Sequence, residues 1–255
     1  MWNKDRTDVY KGMLSETVVM QGYQGDWIHA YFARPLGEGP FPGVILIPHM
    51  PGWDEINFEV SRRFAHHGYA TICPNIFERA GHGLPGEVAG KAREAGGLYD
   101  ESVMADCEGA LRYLTSLPYS NGKTGVIGMC SGGRHAFLAG CRVKGLNAVV
   151  DCWGGRVIMS KEELTPASPV APIDYIDDLH APLLGLFGNE DRSPPPEQVD
   201  QLEAELKKHG KNYAFYRYDG AGHGFWYYDR EAYRPVQAMD AWEKAFDFFD
   251  KHLRS

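Results

Sequence analysis

Cysteines, basic residues and long apolar runs are all scarce in this sequence of 255 residues. The five cysteines form no C-x-x-C pair, which excludes a disulfide framework or a zinc clip as the organising feature. The 26 basic residues are outnumbered by 34 acidic ones, the net charge is −8, and no basic stripe is present, so we expect no nucleic-acid partner. No apolar run approaches the roughly 20 residues that span a bilayer, so we expect no membrane association either.

The scarcity of cysteine also bears on the compartment in which the protein works. An odd number of widely spaced thiols is typical of a reducing environment. Residues 1–12 are charged and polar and contain no apolar segment of the kind that a secretory signal requires. We therefore expect a cytoplasmic protein with reduced cysteines.

Short apolar runs alternate along the chain with longer amphipathic segments. The segments 17–20 and 27–32 flank a glycine-containing turn, which predicts an antiparallel hairpin. Further strands are predicted over 43–47, 69–73, 124–128, 147–153, 183–187 and 213–218, and helices over 54–67, 99–117, 131–141, 194–209 and about 233–253. The glycine-rich segment 75–97 is predicted to be irregular. This order predicts an α/β fold with a mostly parallel central sheet, whose active site lies beyond the carboxyl ends of the strands.

The segment Gly128-Met129-Cys130-Ser131-Gly132 has the pattern G-x-C-x-G at the junction of a predicted strand and a predicted helix. With serine in the central place this pattern forms the nucleophile elbow of α/β-hydrolases. The turn presents the central side chain at a helix N-terminus, where free N–H groups and the helix dipole favour an anion. We therefore predict that Cys130 is a nucleophile with a lowered thiol pKa and that the N–H of Ser131 binds an oxyanion. Ser131 itself is the rival nucleophile, but its position after the apex favours a helix-cap role.

Two later loops supply the partners that a nucleophile needs. Asp191 follows the predicted strand 183–187, and His223 follows the predicted strand 213–218. The order nucleophile, acid, histidine is that of α/β-hydrolases, with the acid orienting the imidazole that moves the proton. Glu190 and Asp219 are alternatives for the acid, and we interpret them as a solvated neighbour and a turn residue.

No combination of residues indicates a metal or a cofactor. The H-E-x-x-H spacing and similar ligand patterns are absent from the sequence. The remaining histidines lie near predicted helix ends or, like His135, inside the predicted elbow helix. We therefore expect a reaction that depends on protein side chains alone.

Several stretches of the sequence resemble the dienelactone hydrolase family, cysteine hydrolases with the α/β-hydrolase fold. The stretches 68–74, 118–123, 128–133 and 221–225 carry the resemblance, and weaker matches extend from about residue 17 to residue 249. Because the sequence contains no internal repeat and no linker long enough to divide domains, we predict a single domain over residues 1–255. The resemblance implies that Cys130, Asp191 and His223 are catalytic and that the oxyanion hole is formed by the N–H groups of Met50 and Ser131.

The same resemblance implies a set of residues that bind substrate. Arg79 corresponds to one arginine that binds a substrate carboxylate. The sequence departs from the family pattern at two positions. His49 stands where the family has a glutamate that helps to activate the thiol, and Tyr227 stands where the family has a second arginine that binds substrate. Together with Phe225 and Trp226, Tyr227 is expected to form an aromatic wall of the site. For His49 both a role in thiol activation and a loop-bracing hydrogen bond stay open.

These observations predict a cysteine-dependent hydrolase that cleaves a lactone or a small carboxylic ester through an acyl-cysteine intermediate. A catalytically silent hydrolase-fold module that binds a ligand is the alternative, favoured by the departures at His49 and Tyr227. A thiol redox sensor, in which Cys73 or Cys152 approaches Cys130, is a third possibility. The oligomeric state is not indicated by any feature of the sequence.

Overall fold

The computed structural model describes residues 12–254, so the prediction of no secretory signal over residues 1–12 lies almost entirely outside the described residues. The described strands are β1 Met13–Gln21, β2 Trp27–Pro35, β3 Phe41–Ile47, β4 Ala70–Pro74, β5 Ser120–Met129, β6 Ala148–Cys152, β7 Leu183–Gly188 and β8 Tyr213–Tyr218. The described α-helices are α1 Glu55–His66, α2 Pro85–Glu94, α3 Asp100–Ser116, α4 Ser131–Arg142, α5 Pro196–Lys208 and α6 Pro235–Leu253.

The eight strands form one sheet in the order β1-β2-β4-β3-β5-β6-β7-β8. The hairpin of β1 and β2 is antiparallel, and β2 also runs antiparallel to β4. Every other neighbouring pair is parallel. The predicted α/β architecture with an N-terminal antiparallel hairpin is therefore confirmed, and helices flank the sheet.

The central strands are buried on both faces, as continuous apolar runs predict. Every residue of β3, β4, β6 and β7 is buried. One apolar core joins these strands to the helices. The ring of Phe64 on α1 packs against Trp242, Phe246 and Phe249 of α6, with centroid distances of 5.2–5.9 Å. The predicted helices and strands are thus held by one shared set of contacts.

Helix α2 corrects the prediction that residues 75–97 are irregular. Two glycines and several charged residues mask its apolar face, which consists of Val88, Ala89 and Ala92. The spacing of these three residues is helical, and Pro85 occupies the first turn, where its missing N–H costs nothing. Both signals were present in the sequence but were too weak beside the glycine content of the segment.

The parallel strands place four loops at one edge of the sheet. Met50 follows β3, Cys130 follows β5, Asp191 follows β7 and His223 follows β8. Because the carboxyl ends of parallel strands meet at the same edge, these residues converge although they are far apart in the chain. None of the described helices combines the length and the apolarity needed to span a membrane.

Candidate active site

Cys130 occupies a strained turn between β5 and α4. Its backbone has φ 58° and ψ −125°, a region that residues other than glycine rarely adopt. The turn fits only because its flanks are glycine. A Cβ on Gly128 would lie 2.0 Å from the carbonyl oxygen of Gly132, and a Cβ on Gly132 would lie 2.3 Å from that of Ile47. The N–H of Cys130 donates to the carbonyl of Cys152 at 3.0 Å, which ties the turn to β6.

Three groups surround the sulfur of Cys130 and favour its thiolate. Burial alone would raise the pKa of the thiol, but a hydrogen bond and the positive charge of His223 act in the opposite direction. The backbone N–H groups of Ser131 and Met50 also donate to the sulfur. Together these groups lower the pKa of Cys130 below its ordinary value. The two N–H groups that were predicted for an oxyanion hole are therefore brought together at the sulfur.

His223 lies between Cys130 and the carboxylate of Asp191. Its Nδ1–H donates to Asp191 Oδ2 at 2.9 Å and lies 3.2 Å from Oδ1, which leaves Nε2 for the hydrogen bond to Cys130. Asp191 is buried, with 4% of its surface exposed, and Oδ1 also accepts from the N–H of Ser193 at 2.8 Å. Burial would lower the pKa of His223, but the hydrogen bonds to Asp191 and Cys130 raise it to about 10. The arrangement therefore favours a thiolate beside an imidazolium.

The alternatives for the acid lie elsewhere. The carboxylate of Asp219 accepts from the side chain of Asn189 at 2.6 Å, in an exposed turn. Glu190 is exposed and makes no described side-chain contact with His223. Asp191 is thus the carboxylate that the fold brings to the imidazole.

A cavity of about 270 Å³ opens above Cys130 and His223. Its lining includes the polar side chains of Arg134, His135, Arg156, Thr165, Ser168 and Ser193. Cavities of about 450 and 480 Å³ lie elsewhere on the molecule and do not include Cys130 among their lining residues. The 270 Å³ cavity is therefore the space in which a carbonyl group could meet the thiolate.

The two arginines of the cavity differ in their partners. The guanidinium of Arg134 donates two hydrogen bonds to Asp100 at 2.6 and 2.8 Å, and His135 also contacts that carboxylate. Burial raises the pKa of Asp100, but these contacts lower it to about 2, so the ion pair is maintained. Arg156 is exposed and donates to the carbonyl of Glu163 at 2.8 Å. Within residues 12–254 no carboxylate forms an ion pair with Arg156, so its charge is available to the cavity.

His49 does not line this cavity but is fully buried beside it. Its Nδ1 lies 2.8 Å from the hydroxyl oxygen of Tyr227, and its Nε2 lies 2.8 Å from Asp54 Oδ2. Asp54 is the N-cap of α1 and also accepts from the backbone N–H of Asn57. Both ring nitrogens of His49 are therefore occupied by protein groups, which corrects the expectation that His49 contacts substrate.

The expected aromatic wall is instead part of the core. Phe225, Trp226 and Tyr227 are 0%, 4% and 2% exposed and surround the ring of Trp153 at centroid distances of 5.0–5.7 Å. None of the three lines the cavity over Cys130. Their rings support the loop that carries His223, and this position corrects the expectation that they bind substrate.

Arg79 is likewise not brought to the cavity. Its guanidinium donates to both oxygens of Asp106 at 2.9 and 3.0 Å, and its Nε donates to Asp26 at 3.0 Å. Asp106 is fully buried at the side chain, so Arg79 provides the positive charge that its burial requires. This ion pair corrects the expectation that Arg79 binds a substrate carboxylate.

Comparison with known proteins identifies the family of this chain. A model of the dienelactone hydrolase family matches residues 28–253. The chain belongs to the dienelactone hydrolase family. A solved structure from Klebsiella pneumoniae, named as a dienelactone hydrolase, is similar with a TM-score of 0.85 and 27% identity. The match covers 95% of this chain and 100% of that one, and the α/β-hydrolase fold is thereby established.

Named relatives in this family align with nearly the whole chain. A protein of Synechocystis sp. named as a carboxymethylenebutenolidase is 31% identical over 247 residues, covering 94% of this chain and 98% of its own. A protein of Escherichia coli (strain K12) with the same name is 32% identical over 238 residues, covering 90% and 84%. A protein of Bradyrhizobium sp. named as a 2-oxo-3-(5-oxofuran-2-ylidene)propanoate lactonase is 29% identical over 248 residues, covering 94% and 98%.

The two departures from the dienelactone hydrolase pattern are in contact with each other. His49 and Tyr227, far apart in the chain, share a hydrogen bond at the back of the site. Sequence reasoning missed Arg156 and Arg134 in the cavity lining and the ion pair of Arg134 with Asp100. The position of Arg134 one turn into the elbow helix was a usable signal for the pair, because side chains there face the same edge of the sheet. For Arg156 no sequence signal was available, since a loop places it.

The described residues contain no cluster that could hold a metal ion. In residues 12–254 no group of three or more histidine, cysteine, aspartate or glutamate side chains converges in this way.

Proposed function

We propose that this member of the dienelactone hydrolase family is a cysteine-dependent hydrolase that cleaves a lactone or a small carboxylic ester through an acyl-cysteine intermediate. One observation carries the proposal: the sulfur of Cys130 accepts hydrogen bonds from His223 and from two backbone N–H groups, those of Met50 and Ser131. A nucleophile and its oxyanion donors are thus already assembled at one edge of the cavity.

In the first half of the proposed reaction the Cys130 thiolate attacks the carbonyl carbon and forms a C–S bond. The carbonyl oxygen becomes an oxyanion that accepts from the N–H groups of Met50 and Ser131. As the C–O bond of the ester breaks, the His223 imidazolium gives its proton to the leaving alkoxide. The products of this half are an alcohol group and an acyl-cysteine; in a lactone they remain in one molecule.

In the second half, neutral His223 takes a proton from water, and the resulting hydroxide attacks the thioester carbon. The same two N–H groups hold the second oxyanion. The C–S bond then breaks, and Cys130 leaves as a thiolate beside a protonated His223, which restores the resting pair. Asp191 keeps the proton-carrying imidazole in the required tautomer and orientation throughout.

Residues that line the cavity favour a substrate that carries an anionic group. Arg156 is the cavity arginine whose charge is not neutralised by a described carboxylate, and Thr165 and Ser168 line the same cavity. The substrates named for the relatives are lactones that carry a carboxylate, as in the propanoate lactonase from Bradyrhizobium sp.. We therefore propose Arg156, in place of Arg79, as the residue that receives a substrate carboxylate.

Replacement of the nucleophile tests the proposal. Cys130→Ala is expected to abolish hydrolysis of a panel of lactones and short acyl esters, and mass spectrometry of the wild type mixed with a slow ester is expected to show an added acyl group on Cys130. Cys141→Ala is the matched control, because this buried cysteine lies near the end of α4, the helix that follows Cys130, and does not line the cavity above Cys130. Full activity of Cys130→Ala would overturn the proposal.

The same panel of lactones and esters tests the alternative, a catalytically silent module that binds a ligand. A module of that kind would bind some of the compounds, as measured by calorimetry, and yet release no product above the level of heat-denatured protein. Turnover by the wild type that disappears in Cys130→Ala excludes this alternative.

A further inference from the structure

The two N–H donors at Cys130 differ in how the fold holds them. The N–H of Ser131 belongs to the first turn of α4, so helix geometry fixes its direction. Met50 lies in the loop between β3 and α1, where no helix or strand orients its N–H. The direction of the second donor must therefore come from side chains that brace this loop.

His49 precedes Met50 and is the residue that anchors the loop. Its side chain has no exposed surface, and both of its ring nitrogens are engaged, one by Tyr227 and the other by Asp54. The carbonyl of His49 also accepts from the N–H of Gly52 at 3.1 Å, which closes a tight turn around Met50. Movement of the imidazole would consequently change the peptide that carries the Met50 N–H.

The directions of the hydrogen bonds can be assigned from the partners. A carboxylate only accepts, so His49 Nε2–H donates to Asp54 Oδ2. Burial, and then the nearby charge of Cys130, raises the pKa of Tyr227 well above its ordinary value, so the phenol keeps its proton. Within residues 12–254 the only hydrogen bond of this hydroxyl is the one to His49, so the Tyr227 O–H donates to His49 Nδ1.

Tyr227 joins the loop of His49 to the loop that carries His223, four residues earlier. Its ring is fixed among aromatic neighbours, 5.7 Å from Trp153 and 5.2 Å from His49 between centroids, and the guanidinium of Arg230 stacks on it at 4.6 Å. The hydroxyl is thus held by a rigid support. Asp54, which caps α1, provides the opposite support.

We infer that Tyr227 is a positioning residue, which acts through His49 to hold the Met50 N–H in the oxyanion hole. The inference rests on the proposed function and assigns a role to a residue that touches neither the substrate nor the sulfur. It also explains the two departures from the family pattern by one role, because His49 and Tyr227 are joined by a hydrogen bond and would position the same N–H group.

Tyr227→Phe tests this inference, since it removes the hydroxyl and keeps the ring in its aromatic cage. Loss of an oxyanion donor costs about 10²–10³ in rate, and a misdirected donor should cost less, so we expect kcat to fall about 10- to 100-fold. KM for a short neutral ester should change less than about twofold. The rate of Cys130 alkylation by iodoacetamide should change much less than kcat, because this displacement develops no oxyanion. Its pH profile should shift only slightly to higher pH, because the N–H of Met50 makes the smallest of the described contributions that lower the pKa of the thiol.

Two variants of His49 distinguish an effect on the position of the Met50 N–H from an effect on folding. His49→Gln retains an N–H that can reach Asp54, whereas His49→Leu retains neither hydrogen bond, so His49→Gln should keep the larger kcat. Tyr216→Phe is the matched control, because this tyrosine lies on the preceding strand, β8, and is 38% exposed. Its kcat should equal that of the wild type.

An unchanged kcat in Tyr227→Phe would overturn the inference. So would an equal loss of ester hydrolysis and of alkylation, which would place the effect on the thiol or on folding. Neither result touches the proposed function, which stands or falls with the activity of Cys130→Ala.

Discussion

The charges of Cys130 and His223 determine the pH range in which the proposed chemistry can operate. The thiol pKa is lowered from its ordinary value of 9.0, and the imidazole pKa is raised to about 10. Below the lowered pKa of the thiol the sulfur gains a proton, and above about pH 10 the imidazole loses the proton that it must give to the leaving group. Because the groups interact, the two values belong to the pair as a whole. We expect kcat/KM to follow a bell with its falling limb near pH 10.

Asp191→Asn should change both the height and the position of this bell. The hydrogen bond to Asp191 is the largest contribution that raises the pKa of His223, so the falling limb should move to lower pH. By analogy with hydrolases that use a similar acid, kcat should fall by about 10⁴. Glu190→Gln is the control, and its profile of kcat/KM against pH should match that of the wild type. A falling limb that stays in place in Asp191→Asn would contradict the assignment.

Arg156 allows a prediction about substrate charge. A charge-assisted hydrogen bond contributes about 1.5–3 kcal/mol, so Arg156→Gln should raise KM about 10- to 100-fold for a lactone that carries a carboxylate. KM for the corresponding neutral methyl ester should stay the same, because that molecule offers no charge to bind. Arg142→Gln makes the same change of net charge outside the cavity and should leave both values unchanged. Equal effects of Arg156→Gln on both substrates would rule out recognition of the carboxylate.

At the scale of elements, the junction of β5 and α4 depends on backbone atoms that approach without side chains. Gly132→Ala would place a Cβ 2.3 Å from the carbonyl oxygen of Ile47, which belongs to the central strand β3 and cannot move aside. We expect a loss of about 3 kcal/mol or more in the free energy of unfolding, measured by urea titration. Gly86→Ala in α2 is the control, because nothing lies within 4 Å of its added Cβ, and it should be neutral or slightly stabilising. Equal stability of the two variants would contradict this account.

The elements that could be predicted from sequence are those with a strong local signal. The runs in β3 and β7 are continuous and apolar, and G-x-C-x-G specifies its own turn around Cys130, so both were found. Helix α2 was missed because Gly86 and Gly90 weaken its pattern. The partners of side chains could not be predicted, since they depend on tertiary contact. Nothing local indicates that Arg79 meets Asp106 or that His49 meets Tyr227.

At the scale of the whole molecule, one apolar core includes residues from β1 to α6. The single domain over residues 1–255 stays a prediction, and a single domain with one such core should unfold cooperatively. Tryptophans are spread along the sequence, with Trp2, Trp27 and Trp53 before the elbow and Trp153, Trp226 and Trp242 after it. Unfolding curves in urea followed by tryptophan fluorescence and by far-ultraviolet circular dichroism should therefore coincide. Two separated transitions would indicate separate domains.

The positive φ of Cys130 has a consequence for how stability and activity trade against each other in this protein. Cys130→Gly and Cys130→Ala both remove the sulfur, but only alanine keeps a Cβ in a backbone region that costs about 1–3 kcal/mol. Glycine also gains more chain entropy in the unfolded state, which offsets part of this difference. We still expect the glycine variant to be more stable than the alanine variant by about 1 kcal/mol in urea titrations. Selection for thermal endurance alone would favour glycine at the apex of this turn, and hydrolysis would be lost with the thiol.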